Sequence, residues 1–314
     1  MSACLLCGCT RSAALFRTSD RLFGTTTEEF AVVRCGECGL LRLDPPPAPE
    51  KLSRYYPADY WFSPDQTAAG RLEEAYRRLV LRDHVRFVDR ALRSTRAAGP
   101  LLDVGCGGGL FLRLMRSRGF RAVGLDFSAQ AAALAWRRQG VPAVCAVLER
   151  SPFRPASLAG LTMFHVLEHL YDPRAYLLAA RELLAPDGRL VVQVPNAACW
   201  QFRFLGHAWN GIDVPRHVTD FRAADLERLL AACGFAIVRR KYFSLRDNPA
   251  GLASSLAPGL DPMARRVRKR VESAGTRLAK DLVYLALAAA AVPFAAAEAA
   301  CRAGSTIMIE ARRP

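Results

Sequence analysis

The chain has 314 residues, of which 51% are hydrophobic, and its lysine and arginine residues exceed its acidic residues enough to give a formal net charge of +15. The length allows one large domain with additions or two domains, and the apolar content is ample for a folded core. Because the first residues lack a basic start and an apolar run, we expect no signal peptide and a cytoplasmic protein. The ten cysteines should then be reduced thiols or metal ligands rather than disulfides. The charge indicates an anionic partner, either nucleic acid or a lipid surface, unless it only reflects a preference for arginine.

Two C-x-x-C-G motifs stand near the N-terminus, with Cys4 and Cys7 in the first and Cys35 and Cys38 in the second. Four thiolates on two such turns form a closed tetrahedral zinc site. A disulfide or redox role would need only one of the pairs. Residues 1–44 therefore predict a small zinc ribbon. Its metal has no open position and should be structural rather than catalytic, and Cys9 should be a spare cysteine.

Residues 45–98 predict a linker followed by helices. A proline-rich stretch is followed by four aromatic residues within 55–61. These aromatics either fix the segment to the main domain or line a substrate pocket. Charged and apolar residues then alternate at helical spacing over 71–94, which indicates one or two amphipathic helices.

The stretch around residues 101–114 predicts a strand, a tight glycine turn and a helix. Glycines let the backbone approach a ligand closely, and a helix N-terminus offers free N–H groups. A dinucleotide fingerprint would place a glycine at position 110, which is leucine here. Asp103, two residues before the first glycine, suits a ligand with an ammonium group. Asp126 ends a second strand about 20 residues further on, where a carboxylate can accept both ribose hydroxyls.

The chain continues as alternating strands and helices, which predicts a parallel sheet covered by helices on both faces. Ligands bind such sheets at the carboxyl ends of the strands. We expect strands near 100–104, 121–125, 143–147, 160–164, 188–194 and 235–243, and helices near 109–118, 128–139, 172–185 and 222–233.

The segments D-V-G-C-G-G-G at 103–109 and G-L-D-F-S at 124–128 resemble the cofactor site of class I S-adenosylmethionine-dependent methyltransferases. The resemblance spans roughly residues 100–245. It implies an α/β, Rossmann-like, seven-stranded sheet with a core over 99–245 and an antiparallel last strand within 305–314. The Gly-Asp pair that often contacts adenine is missing after the third strand, so backbone groups near Val147 and Leu148 should take that role. The residues expected to contact S-adenosylmethionine are Asp103, Gly105, Cys106, Gly107, Gly109, Asp126, Phe127, Val147, Leu148 and His165.

Methyl transfer requires a positioned nucleophile and, for a hydroxyl or an acidic carbon, a base that removes a proton. Histidine is the natural base near neutral pH. His165 follows the fourth strand of the core, beside the expected methyl group, and His217 lies in a polar loop after the fifth strand. These two are the predicted catalytic residues. An alternative is that His165, Glu168 and His169 hold a divalent ion, because ubiquinone-pathway O-methyltransferases resemble this segment.

The resemblance implies methyl transfer to the oxygen or carbon of a small-molecule, sugar or lipid-linked acceptor. A second hypothesis is an RNA-modifying methyltransferase that binds RNA through its zinc module. The combination of a four-ligand zinc module with this fold resembles some ribosomal RNA guanine methyltransferases. The zinc motifs carry little adjacent basic charge beyond Arg34, so nucleic acid is the less favoured partner. A non-catalytic scaffold is a third hypothesis, which the intact glycine loop disfavours.

Residues 246–304 predict a helical insertion before the final strand. A basic run, Arg265, Arg266, Arg268, Lys269 and Arg270, precedes an apolar, alanine-rich stretch over 282–297. We expect Pro293 and Glu298 to interrupt this stretch, and a single membrane span is excluded because both ends return to one sheet. Residues 261–300 then either lie at the inner face of a membrane or pack on the domain or in a homodimer interface.

Overall fold

The structure is a computed structural model that describes residues 2–56, 68–268 and 272–314. Its strands, in chain order, are β1 (Ser12–Thr18), β2 (Phe30–Cys35), β3 (Leu41–Leu43), β4 (Leu101–Val104), β5 (Ala122–Asp126), β6 (Ala143–Cys145), β7 (Leu158–Phe164), β8 (Leu184–Pro195), β9 (Thr219–Asp220), β10 (Ala236–Lys241) and β11 (Thr306–Arg312). Its α-helices are α1 (Ala68–Val80), α2 (Arg82–Arg93), α3 (Leu110–Arg116), α4 (Ala129–Gln139), α5 (Pro173–Leu183), α6 (Trp200–Leu205), α7 (Ala223–Ala232), α8 (Asn248–Leu256), α9 (Pro262–Val267) and α10 (Ala274–Ala300).

A seven-stranded sheet forms the centre of the main domain, in the order β10-β11-β8-β7-β4-β5-β6. The pairs from β8 to β6 are parallel, whereas β11 runs antiparallel to both β8 and β10. The central strands are almost wholly apolar because helices cover both faces of the sheet. The chain moves outward from β4 through β5 to β6 and then restarts at β7 on the other side of β4. The predicted fold is therefore confirmed, and the carboxyl ends of β4 and β7 mark the point where a ligand is expected.

Gly160 of β7 lies at a close contact with helix α2. A Cβ built on Gly160 would lie 2.4 Å from Leu92 Cδ2. Helix α2 packs against β7 at this point, and a larger residue would require the Leu92 side chain to shift.

The N-terminal module is joined to the main domain through backbone pairing. Strands β1, β2 and β3 form an antiparallel sheet, and β9 of the main domain adds a fourth strand beside β3. Cys35 and Leu40 of the module lie in the same buried cluster as Phe221, which follows β9. The module therefore shares a core with the main domain.

The insertion before β11 contains α8, α9 and α10. Tyr284 on α10 bonds through its hydroxyl to Ser254 Oγ on α8 at 2.9 Å, and Glu298 Oε1 accepts the backbone N–H of Gln201 at 2.9 Å. Helix α10 is long and apolar enough, by length and composition, to cross a membrane, and it is the single such helix in the part of the chain that the structure describes.

The expectation that Pro293 and Glu298 interrupt α10 is wrong. The helix continues through both positions. Ala291 and Ala295 are buried on either side of Pro293, which keeps the helix seated on the domain. Glu298 is buried but hydrogen-bonded, so its carboxylate does not break the helix.

The placement of Arg265 among residues that face a membrane is also wrong. Its side chain is 7% exposed and pairs with Glu272 at 2.9 Å and with Asp281. A buried guanidinium needs acidic partners to offset its lost hydration, and both lie within the insertion. Lys269 and Arg270 of the same basic run lie outside the described residues.

Candidate active site

The glycine loop runs past the carboxyl end of β4 with its backbone open to the cleft. Gly105 and Gly107 have φ values of +73° and +50°, which favour glycine over other residues. A Cβ on Gly105 would lie 2.9 Å from Val166 Cγ2, whereas one on Gly107 would meet nothing within 4 Å. The space beside Gly107 is therefore open to a ligand. Gly109, at φ +76°, is the residue immediately before α3. The first turn of this helix therefore begins where the glycine loop ends.

Asp126, at the end of β5, lies directly beside this loop. Its Oδ2 accepts the Gly107 N–H at 3.0 Å and its Oδ1 accepts the Ser128 N–H at 2.9 Å. Burial raises the pKa of the Asp126 carboxyl, and these two hydrogen bonds oppose that rise. The carboxylate is thus fixed where ribose hydroxyls were predicted to bind.

Asp103 and Cys106 lie beneath the loop rather than on its open side. Thr162 Oγ1 donates to Asp103 Oδ1 at 2.6 Å, and burial raises the pKa of Asp103 to about 7. A Cβ on Gly124 would lie 2.5 Å from Cys106 Sγ, so the thiol fills the space that this glycine leaves. Contact of either residue with a cofactor stays a prediction.

Two exposed apolar side chains flank Asp126. Phe127 is 63% exposed and Val147 is 40% exposed, while Leu148 is buried. Exposed apolar surface beside an acid at the ends of β5 and β6 is suited to the face of an adenine ring. Tyr56 approaches from the N-terminal segment, with its ring centroid 6.4 Å from that of Phe127.

His165 follows β7 and has φ +56°, a conformation that is uncommon for a residue with a side chain. Its Nδ1 lies 3.1 Å from Glu168 Oε1 and its Nε2 lies 3.5 Å from Asp247 Oδ2. Burial alone would lower the pKa of His165, but Asp247 and Glu168 raise it to about 9. The two carboxylates thus favour the protonated imidazole, which disfavours the predicted base role, and Gln193 Nε2 also lies 2.8 Å from His165 Nε2.

Asp247 was not found by sequence reasoning. It accepts hydrogen bonds from Gln193 Nε2 at 2.7 Å and from Ser244 Oγ at 2.6 Å, and its carboxylate lies 3.7 Å from His84 Nε2. Burial would raise the pKa of Asp247, but Arg246, His165 and His84 hold it well below its usual range. No motif marks this aspartate, because its histidine and glutamine partners stand far from it in the sequence.

His217 lies in the loop that follows α6, and its hydrogen bonding fixes one tautomer. Its Nδ1 donates to the Gly211 carbonyl at 2.9 Å, which leaves Nε2 with a free lone pair. Nε2 lies 4.0 Å from Glu168 Oε1, and the His217 and His169 rings are 4.7 Å apart. The role of His217 as the base stays a prediction.

A buried ion pair holds this loop. Arg216 bonds to Asp20 at 2.8 Å and to Asp213 at 2.6 Å, and its guanidinium lies over the Phe23 ring. Asp20 and Phe23 belong to the segment between β1 and β2. The N-terminal module therefore fixes the residue next to His217.

His169 faces Tyr56, whose hydroxyl lies 3.0 Å from His169 Nδ1. The same nitrogen lies 3.0 Å from the Arg216 carbonyl, and burial together with His217 lowers the pKa of His169 to about 4. Tyr56 therefore fits the pocket interpretation of the aromatic cluster, whereas Tyr55 packs against Phe30 as an anchor. The remaining aromatics of the cluster lie outside the described residues.

The alternative site for a divalent ion has different ligand residues from those expected. Ligand atoms of Glu168, His169 and His217 lie within 4.8 Å of one another. Glu168 Oε2 is buried without a hydrogen-bond partner among the described residues. His165, which the sequence placed in this set, lies outside it, because its Nε2 faces Gln193 Nε2 at 2.8 Å and Asp247 Oδ2 at 3.5 Å. These three side chains could hold a divalent ion as well as act on a proton.

The four predicted zinc ligands converge in the N-terminal module. Cys4 Sγ lies 3.5 Å from Cys38 Sγ, Cys7 Sγ lies 3.5 Å from Cys35 Sγ, and all four sulfurs are within 4.8 Å of one another. Cys9 lies outside this set and accepts the Arg11 N–H through its sulfur at 3.3 Å. The arrangement fits a closed four-thiolate site.

Comparison with known proteins places this geometry in context. A family model described as a methyltransferase domain matches residues 72–240. An uncharacterized protein of Mycobacterium tuberculosis is 35% identical over 157 residues, covering 50% of this chain and 53% of that protein. A ubiquinone biosynthesis O-methyltransferase of Chromobacterium violaceum is 33% identical over 186 residues, covering 52% of this chain and 79% of that enzyme.

Solved structures agree on the fold. The geranyl diphosphate C-methyltransferase of Streptomyces coelicolor A3(2) superimposes with a TM-score of 0.53 at 17% identity, covering 86% of this chain and 100% of that one. The chain spans about half the length of the first curated relatives it matches, at 53% of the mycobacterial protein.

Proposed function

The chain belongs to the methyltransferase-domain family, and from this premise we propose that it transfers the methyl group of S-adenosylmethionine to a small-molecule acceptor. The observation that carries the proposal is the glycine loop at the end of β4. The backbone at Gly107 is open to the cleft, and the Asp126 carboxylate is fixed 3.0 Å from its N–H. Such a loop supports a ligand that carries a ribose and an amino acid moiety.

The residues present fit S-adenosylmethionine. Asp126 would accept the ribose hydroxyls, the backbone at Gly105 and Gly107 would face the amino acid part, and the exposed sides of Phe127 and Val147 would enclose the adenine. The cofactor supplies a methyl group on a sulfonium, which is a good leaving group. The protein's task is to align the acceptor atom and to handle its proton.

His217 is the proposed general base for an acceptor hydroxyl or acidic carbon. Its Nε2 lone pair takes the proton, and Glu168, 4.0 Å away, stabilises the imidazolium that forms. Nδ1 stays bonded to the Gly211 carbonyl, so the ring keeps its orientation.

We propose a structural role for zinc. Four thiolates would fill its coordination sphere, so no position is left for a substrate or water. A small module of this size gains much of its folding free energy from the metal.

The acceptor is proposed to be the oxygen or carbon of a small molecule, sugar or lipid-linked compound. Similarity to an enzyme named for ubiquinone biosynthesis supports a lipid-like acceptor. We also propose that the protein is cytoplasmic. It would reach such an acceptor at the inner face of the membrane, or it would act as a homodimer in solution.

RNA modification is the second candidate, and the charges of the module weigh against it. Three of its arginines are paired with acids: Arg11 lies 3.3 Å from Glu37, Arg17 lies 3.5 Å from Glu29, and Arg42 lies 3.4 Å from Asp44. An RNA-binding module needs cations that are free to meet phosphates.

The test is transfer of radiolabelled methyl groups from S-adenosylmethionine to lipid, sugar-nucleotide and RNA fractions. We expect label in a small-molecule or lipid fraction with the wild-type protein and none with Asp126→Ala. Label only in RNA would favour the second candidate, and no label in any fraction would count against methyl transfer.

A further inference from the structure

Helix α10 exposes a continuous apolar face. Leu278, Leu282, Val283 and Leu285 are 61%, 57%, 50% and 43% exposed. Every exposed residue between 282 and 297 is apolar, namely Leu282, Val283, Leu285, Ala286, Ala289, Ala290, Pro293, Ala296 and Ala297. At 1.5 Å per residue, the face from 278 to 297 extends about 30 Å. We name these exposed residues of 278–297 the apolar face.

The opposite side of α10 is held on the domain. Its buried residues recur at helical spacing and are Tyr284, Ala288, Ala291, Ala295 and Glu298. The Tyr284 and Glu298 hydrogen bonds to α8 and α6 fix the helix along its length. Because the insertion leaves the sheet at β10 and returns at the adjacent β11, α10 can lie along a surface but cannot span a bilayer.

An aromatic side chain extends this surface at the far end of α10. The Trp200 ring of α6 lies 6.1 Å from the Phe294 ring, and Phe204, one turn after Trp200, is 69% exposed. Tryptophan and phenylalanine beside an apolar helix face are typical of the boundary between headgroups and acyl chains.

The acids on α10 and just before it are each paired or buried, and Asp281 keeps 38% of its side chain exposed. Glu272 bonds to Arg265 at 2.9 Å and to Lys280 at 2.6 Å, Asp281 pairs with Arg265, and Glu298 is buried. Arg277, one residue before Leu278, is exposed. The outer surface therefore combines apolar side chains with positive charge.

From these contacts and charges we propose that the apolar face docks on an anionic phospholipid bilayer, with α10 lying in the plane of the interface. The leucines and valine enter the acyl boundary, and Arg277 meets the headgroups. A second copy of the chain is the less suitable occupant, because each copy carries a net charge of +15 and pairing the faces would bring like charges together.

The experiment is flotation of the full-length protein with vesicles of phosphatidylcholine alone and of phosphatidylcholine with phosphatidylglycerol. We expect binding to the anionic vesicles at low salt, weaker binding at high salt, and little binding to neutral vesicles. The triple variant Leu278→Gln, Leu282→Gln, Leu285→Gln should bind the anionic vesicles at least about tenfold more weakly, because each leucine gives up apolar burial.

The matched control replaces exposed apolar residues elsewhere, Trp136→Gln with Leu178→Gln, which are 62% and 45% exposed. This control should bind vesicles as the wild type does, and thermal unfolding should confirm that all variants are folded. Absence of wild-type binding, or equal binding by the triple variant, would overturn the proposal. A wild-type dimer that the triple variant converts to a monomer would assign the face to a second copy instead.

Discussion

Leu43 of the N-terminal module donates its backbone N–H to the carbonyl of Val218 at 3.0 Å. Val218 follows the proposed base, His217, and its own N–H bonds to the Glu168 carbonyl at 2.8 Å. Strand β3 begins only three residues after the proposed zinc ligand Cys38. The proposed metal centre is therefore linked to the catalytic loop through a short run of backbone hydrogen bonds, and its loss should disturb that loop.

Replacing Cys35 with serine should release zinc and destabilise the protein. Loss of one thiolate opens the site, and the module loses folding free energy that the metal supplied. We expect about one zinc per wild-type chain by elemental analysis and a melting temperature lower by about 10 °C in Cys35→Ser. Cys9→Ser, in the same module but outside the four-cysteine set, should keep its zinc. Full zinc in Cys35→Ser would contradict the ligand assignment.

Replacing Asp126 with alanine should abolish tight binding of S-adenosylmethionine. The ribose hydroxyls lose a charged acceptor, and Gly107 loses the bond that orders its N–H. Removing charged hydrogen bonds of this kind costs about 3 kcal/mol, or roughly a hundredfold in affinity. Calorimetry measures the affinity, with Asp172→Ala at the start of α5 as the control. Unchanged affinity in Asp126→Ala would refute the cofactor site.

Replacing His217 with glutamine should lower methyl transfer without weakening cofactor binding. A lost general base typically costs between about a hundredfold and ten-thousandfold in rate. His207→Gln, in the same region but without the Glu168 contact, is the matched control and should stay near wild-type activity. Radiolabel transfer gives the rate and calorimetry the affinity. If His217→Gln keeps its rate, another residue removes the proton.

The pH dependence of stability should carry the signature of His165. Its pKa is about 9 in the folded protein against 6.5 in the unfolded chain. The folded state therefore binds more protons between these values, and the resulting stabilisation is complete below pH 6.5 and is lost as the pH rises through 9. His169, with a folded pKa of about 4, acts in the opposite sense and removes stability as the pH falls from 6.5 toward 4.

Asp247→Asn tests this assignment. The substitution removes the carboxylate 3.5 Å from His165 Nε2, so the pKa of His165 should fall toward its ordinary value. With five histidines in the chain, imidazole NMR can follow each titration, and denaturant unfolding from pH 6 to 10 gives the stability. A His165 pKa that is the same in both proteins would show that Asp247 does not hold its proton.

Local patterns in the sequence determined the scaffold of this protein. The alternation of strands and helices predicts the parallel sheet, because the spacing of apolar residues in each element can be read from consecutive residues. The glycines of the loop and Asp126 are also found from spacing alone, since a turn between one strand and one helix is a local structure. The same holds for the two C-x-x-C-G motifs, each of which is a single turn.

Only the tertiary structure decided which distant side chains meet. Asp247 reaches His165, and Arg216 reaches Asp20 across 196 positions of sequence. Neither pair has a spacing that a sequence pattern could reveal. The pKa values of the two histidines shift in opposite directions for the same reason: His165 lies between two carboxylates, whereas His169 is buried beside another imidazole. In the insertion, the sequence shows that α10 is apolar, but packing against α8 and α6 determines which of its sides is buried and which remains exposed.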